Sequence, residues 1–501
     1  MTALTSLARA QAAVRGRAQP ITTVRHVHVS GTPLVIVPLA MAGEANAPLA
    51  AMIGRDRTAP DLLIVPQPRD RSQRFQFAHS LALIVLHYLG QFASTTEPVA
   101  TRPGQAPRRR VPDAPQLWVP NGEGIEFLRL FGRSTRFRST SGPYAVQVSV
   151  PILGKWLTFL AEQAEHPGSS LLLAATTVLA QHWATGQSAI EDANLAAALG
   201  WIDPPRGHTG AEAARAAEDP LQWPPAGPAT DPTFDREVLA PGIAEYDTAG
   251  DDLMAQRRAV GRLAAALRGQ LEPTWQLTWR AIELIGHLPP GGHVAARWEQ
   301  DRDAYSRFNE HVASGGNPQP TRDSAVAAAI RLNDLERRQA AYEAQRAFDD
   351  PLVMAEHRLA GEAFAGTVVA SVPNRRVGVG RRAALRPLIT VRTVDPVRLT
   401  AGEATLRDPE RPRQHADILT VTDTPSSGTE IVLELAGGMG RGRTPTPGSV
   451  PAAGDRVCFC TLTDDYQPRG TFPSRDATPW THGGPPQAPR RSDDEANEAW
   501  A

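Results

Sequence analysis

Lysine is almost absent from this chain. Of its 52 basic residues only Lys155 is a lysine, and the others are arginine. Any chemistry that needs an ε-ammonium therefore runs through Lys155 or is excluded. Cysteine is as scarce. Cys458 and Cys460 are the only two, too few for a disulfide framework or a zinc ribbon. Long apolar runs are missing as well. The most apolar windows, such as Leu34 to Met41, fall far short of the roughly 20 residues that a membrane helix needs. The first twenty residues are Ala- and Arg-rich and read as a mobile, non-secretory leader. Together these absences predict a cytoplasmic protein with no membrane contact.

The familiar catalytic signatures are missing too. A P-loop needs a glycine five residues ahead of its Gly-Lys, and Ser or Thr behind it. The single Gly-Lys pair, Gly154–Lys155, has Ser149 and Trp156 at those places, so the chain is not itself a P-loop motor. There is no His-Glu-x-x-His and no Gly-x-Ser-x-Gly elbow. No catalytic residue, metal ligand or cofactor is assigned on this reading. Two weaker pairs remain. His26 and His28 alternate with Val27 and Val29, so on a strand both imidazoles share a face and are spaced to hold one metal. No partner carboxylate is evident, although Glu44 lies in the same N-terminal region. The outward face of a half-buried strand explains both histidines more simply. Cys458 and Cys460 share a face in the same way and read as small buried hydrophobes.

What is present is an ordinary globular composition, with 41% hydrophobic and 21% charged residues and a net charge of −1. Its abundant Ala, Pro, Gly and Arg point to a GC-rich bacterial gene. At about 150 residues per domain, 501 residues predict about three domains. The expected class is α+β and multi-domain: a small N-terminal α/β region, a predominantly helical middle and a small C-terminal β-barrel. After the leader (1–20), residues 21–200 read as an α/β region followed by a helical block. Strands are expected from Val24 to Val37, at Asp61 to Val65, and from the alternating Tyr144 to Val150. Helices are expected over Ser72 to Gln91 and Ile125 to Phe131, with a core helix over Ser170 to Ala184. Residues 201–250, rich in Pro and Gly, read as a linker. Residues 251–364 read as a stalk-like helical domain: Asp251 to Leu271, Thr274 to Leu288, Asp301 to Ala313, Asp323 to Ala347 and Leu352 to Phe364. Over 365–463 the period shifts to two, with strands at Gly366 to Val372, Leu388 to Thr393, Asp417 to Val421, Glu430 to Leu435 and Arg456 to Leu462. The Pro-rich tail, 464–501, reads as disordered.

The strongest positive signal lies inside that barrel. Arg375, Arg376, Arg381, Arg382, Arg386, Arg392 and Arg398 fall within 25 residues whose single acid is Asp395. Asn374-Arg-Arg-Val-Gly-Val-Gly-Arg-Arg reads as a loop between strands. Guanidinium forks there suit phosphate oxygens. A second basic, Gly-rich loop carries Arg441 and Arg443. The candidate phosphate-binding set is therefore Arg375, Arg376, Arg381, Arg382, Arg386, Arg441 and Arg443. The competing reading is that these arginines pair with acids of the same protein or solubilise the barrel. Weaker basic clusters occur at Arg108 to Arg110 and at Arg129, Arg133, Arg136 and Arg138.

The segment from Asp323 to Leu462 resembles the stalk-plus-barrel insert of superfamily 1 helicases that act on RNA or DNA. The resemblance rests on the long helix Asp323 to Ala347, Phe364-Ala-Gly-Thr-Val-Val, Asp395-Pro-Val-Arg-Leu-Thr-Ala-Gly, Ile431-Val-Leu-Glu-Leu and Pro451-Ala-Ala-Gly-Asp-Arg-Val. It covers under a third of the chain, and the motor is missing. It implies a barrel that touches nucleic acid or docks on a separate motor. The expected function is a non-enzymatic nucleic-acid-binding accessory subunit, acting beside a helicase or nuclease in bacterial antiviral defence or repair. The alternatives are a protein-interaction scaffold anchored on Trp275 and Trp279, and an unrecognised enzyme in the N-terminal region.

Overall fold

A computed structural model describes residues 2–42, 47–99, 108–378, 383–403, 405–424, 428–440, 442–465, 468 and 470–472. The chain divides into two compact units, Leu7–Leu335 with Arg469–Ala501, and Met1–Ser6 with Glu336–Pro468.

The larger unit is built on a five-stranded mixed sheet. Its strand order is Asp61–Ile64, Pro48–Gly54, Leu34–Ala40, Leu117–Val119, Leu172–Ala174. Leu34–Ala40 runs antiparallel to Pro48–Gly54 but parallel to Leu117–Val119, which is in turn parallel to Leu172–Ala174. Successive side chains on a strand point to opposite faces, and both faces of this sheet are covered. Leu34, Ile36, Leu117 and Val119 enter one core with Phe75, Leu81, Phe131, Trp156 and Tyr305 from the helices Arg71–Ala93, Gly122–Thr135, Ser149–Ala164 and Val294–Ala313. Val35, Val37, Leu39 and Trp118 enter a second core with Leu263, Leu267, Leu271 and Trp275 of the helix Leu253–Gly286. Burial on both faces explains why these strands read as continuous apolar runs. Each fully buried Leu or Ile contributes about 1.5–3 kcal/mol.

Local chemistry sets the helix ends. Asp70 accepts from the Ser72 and Gln73 amides, Asn121 from Gly124, and Asp252 from Met254 and Ala255. These bonds satisfy N–H groups that the first turn leaves open. Helices Gly122–Thr135 and Ser149–Ala164 cross closely because Gly154 has no side chain. A Cβ there would lie 2.4 Å from the Arg136 amide nitrogen. The glycine of the chain's single Gly-Lys pair is thus a helix-packing residue.

The smaller unit contains a closed six-stranded barrel, ordered Ala363–Val372, Leu388–Thr393, Gly428–Ala436, His415–Thr424, Thr405–Arg407, Arg456–Cys460. Phe364, Val368, Ile389, Val391, Ile418, Ile431, Leu433, Leu435 and Phe459 fill its interior. The class is therefore the expected one, mixed α and β with a helical middle and a C-terminal barrel.

Several local expectations are corrected. The first residues form a helix, Ala3–Arg15. Leu34–Ala40 is a strand, but the His26–Val29 stretch is irregular. Its main chain is held by side chains, His26 N–H by His182 and His28 N–H by Ser170, so no strand partner is needed. Residues 144–148 are not a strand either: Val146 is buried and Val148 is exposed, and Ser149 opens a helix. Pro151 sits in that helix's first turn, where its missing N–H costs nothing. The apolar Ser170 to Ala184 segment is a strand, a short helix Ala175–Ala180 and a strand Trp183–Ala184, not one helix. The two helices expected over 251–288 are one, Leu253–Gly286, which continues through Pro273. Residues 203–250 include the helices Gly210–Ala216 and Ala240–Thr248. The barrel has one strand that was not expected, Thr405–Arg407. The short strands Glu97–Val99 and Arg108–Arg110 pair within a region that reads as loop.

Candidate nucleic-acid interface

The arginine-rich run does not form one surface. Its C-terminal part lies on the barrel strand Leu388–Thr393, beside Gly428–Ala436, whose outward face carries Glu430 and Glu434. Arg392 and Glu430 are direct cross-strand partners, 2.7 Å apart. Opposite charges so placed stabilise a sheet. Asp395, the single acid of the run, takes two bonds from the Arg358 guanidinium at 2.7 and 2.8 Å, and one from the Ala365 amide. Burial raises its carboxyl pKa, but these donors outweigh that effect and hold it below its ordinary value. The Arg398 side chain packs over Gly361.

The N-terminal part of the run is different. Arg376–Val377 pairs with Ala384–Leu385 as a short antiparallel ladder. At its base Arg375 bonds Glu434 at 2.6 Å and the Arg386 carbonyl at 2.9 Å, while Arg386 lies 3.6 Å from the other Glu434 oxygen. One carboxylate thus serves two guanidinium groups. Among the described residues Arg376 binds only main-chain carbonyls, those of Ala383 and of Arg443. The Arg443 contact is 3.1 Å long and joins the ladder to the second basic loop. Arg376 and Arg443 are both exposed, and neither makes an ion pair among the described residues. Arg381, Arg382 and Arg441 lie outside the described residues. The structure therefore gathers Arg375, Arg376, Arg386 and Arg443 in one place and supplies one shared acid, Glu434. That acid was missed in the sequence. The signal for it was its position on the polar face of an alternating strand.

The other candidates have structural roles. Lys155 donates to the Gly316 carbonyl at 2.7 Å. Arg129 pairs with Glu165, Arg136 caps the Gln319 and Pro320 carbonyls, and Arg138 binds the Ser134 carbonyl. Arg108 and Arg110 pair with Asp303 and Glu97. Trp275 is fully buried, with its indole N–H on the Arg57 carbonyl, and Trp279 is packed against the same core. Cys460 is buried and Cys458 half-buried; burial pushes their thiols up to about 11 and about 12, which disfavours the reactive thiolate.

The two N-terminal histidines also diverge. His26 is fully buried beside His182, their rings 5.9 Å apart. His28 stacks on Trp298 at 4.0 Å, and burial lowers its pKa to about 4. Among the described residues no three His, Cys, Asp or Glu side chains are grouped to hold a metal. Glu44 lies outside the described residues. No described helix is long and apolar enough to cross a membrane.

No family model, curated protein or solved structure matches this chain.

Proposed function

We propose that the barrel is a phosphate-binding module and that the chain is a nucleic-acid-binding accessory subunit working beside a separate motor or nuclease. The observation that carries this reading is the contact between Arg376 and the Arg443 carbonyl, which brings two basic loops into one exposed patch. Arg375 and Arg386 share Glu434, and Arg376 and Arg443 have no acidic partner among the described residues. Exposed guanidinium groups on a β-ladder can fork over backbone phosphates while contributing little sequence preference. Arg392 is compensated by Glu430 within the barrel, so the proposed binding surface is the ladder and its neighbouring loop rather than the strand face that bears Arg392. The resemblance to a helicase stalk and barrel is consistent with this reading.

The test is equilibrium binding of labelled single-stranded and duplex DNA and RNA to the whole chain and to an Arg376→Gln, Arg443→Gln double variant. The expected result is a loss of at least tenfold in affinity, equal across sequences, with only a small fall in melting temperature from the lost Arg376 hydrogen bonds. Equal affinity in variant and parent contradicts the reading.

A further inference from the structure

The larger unit contains a cavity of about 840 Å³, a size typical of small-molecule sites. Its position is not arbitrary. Asn121, Gly122 and Glu123 follow the strand Leu117–Val119, and Thr176 and Thr177 follow the strand Leu172–Ala174; all five line the cavity. The cavity therefore opens at the carboxyl ends of two adjacent parallel strands, where open α/β sheets bind their ligands. Its far wall is the segment Pro225 to Ala229. That wall is anchored to the sheet by the Ala40 amide, which donates to the Pro228 carbonyl at 2.8 Å. Gly227 makes this close approach possible. Its φ is +75°, and a Cβ would stand 2.4 Å from the Pro38 carbonyl oxygen.

Two observations define the ligand. First, three carboxylates line the cavity, Glu123, Glu126 and Asp192, and no Lys, Arg or His does. Arg9 compensates Asp192 at 2.9 Å. Glu126 lies 3.4 Å from Arg129, which also serves Glu165, and Glu123 makes no ion pair among the described residues. The concavity is thus net negative, and low-dielectric walls focus that field. Second, Thr176 is 5% exposed, yet its hydroxyl has no hydrogen-bond partner among the described residues. Its oxygen is open to the cavity, which Thr176 lines, so it is free to accept from a ligand there. The remaining walls are largely alanine, proline and glycine.

We infer that this crevice binds a small organic cation, an amine or guanidinium group on a compact apolar body. Carboxylates and the Thr176 hydroxyl accept its N–H donors, and the small side chains seat its carbon frame. Nucleotides and other phosphate esters are excluded by the same carboxylates. The inference is independent of the barrel's role, because every residue in it belongs to the larger unit.

The experiment is calorimetric titration and thermal shift on the full chain with agmatine and spermidine, with ATP as the anionic control. Two variants accompany it, an exposed-site pair Glu123→Gln, Glu126→Gln and a single Thr176→Val. Saturable one-to-one binding of at least one cation is expected, with a raised melting temperature and no effect of ATP. The glutamine pair should weaken the cation at least tenfold without changing the melting temperature of the free protein. Thr176→Val should weaken it several-fold while leaving the free protein as stable as before or more so, since no hydrogen bond is lost. The inference is overturned by the absence of saturable cation binding, by preferential binding of ATP, or by cation binding that both variants leave unchanged.

Discussion

Arg376 donates to the main-chain carbonyl of Arg443 at 3.1 Å, across a sequence separation of 67 residues. Neither guanidinium has an acidic partner among the described residues, whereas Arg375 and Arg386 share Glu434. The patch therefore holds two classes of arginine, and their substitution should have different effects.

Glu434 competes with phosphate for Arg375 and Arg386. Glu434→Gln frees both guanidinium groups while keeping a hydrogen-bond acceptor on the strand. Affinity for nucleic acid at fixed salt should rise several-fold, and stability should fall by no more than about 1 kcal/mol, as for exposed ion pairs. Titration of a labelled oligonucleotide, paired with urea unfolding, separates the two effects. A stability loss without a gain in affinity would mean that these arginines serve the barrel alone.

Gly154 tests the helix crossing on which the larger unit rests. Gly154→Ala places a methyl group against the Arg136 main chain, which cannot yield as a flexible side chain does. Destabilisation of about 1–3 kcal/mol is expected, despite alanine's better helix propensity. Denaturant midpoints of the two proteins give the answer directly; an unchanged or raised midpoint contradicts the packing described.

The barrel was legible because its strands alternate and are separated by Gly, Pro and Asp. Thr405–Arg407 escaped because three residues with one apolar side chain carry no period. The Ser170 to Ala184 stretch failed for a different reason. A strand buried on both faces is continuously apolar, and so is a core helix. The His26–Val29 stretch alternates like a strand, yet its amides are claimed by His182 and Ser170, which follow more than 140 residues later. Pro273 invited a break, but loss of one amide donor did not outweigh the buried stripe from Leu263 to Ile282. The basic loops were visible as composition. Their meeting at Arg376 and Arg443 was not, because it depends on barrel closure. The acidic crevice was invisible, since four distant segments build it.

His28 supplies a pH signature. Burial lowers its pKa from 6.5 to about 4; Asp113 opposes that shift and Arg25 adds to it. Between those values the unfolded chain takes up a proton that the folded chain refuses. This contribution is therefore complete above about pH 6.5 and is lost as the pH falls towards 4, by up to about 3 kcal/mol, less for the part of the ring that water reaches. Urea midpoints measured from pH 7 to pH 4 should fall less steeply for His28→Gln than for the parent chain. Parallel curves would show that the buried imidazole is not what titrates.

If the Arg376 and Arg443 patch neutralises phosphates, its affinity for nucleic acid depends on salt. Each phosphate contact on duplex DNA steepens the plot of log affinity against log salt by about 0.9. A linear dependence is expected for the parent chain, with a slope near −4.5 for about five contacts. For Arg376→Gln, Arg443→Gln the slope should be shallower by about 1.8, one increment for each lost contact. A parent affinity indifferent to salt, or the same slope in both proteins, would contradict phosphate neutralisation by the patch.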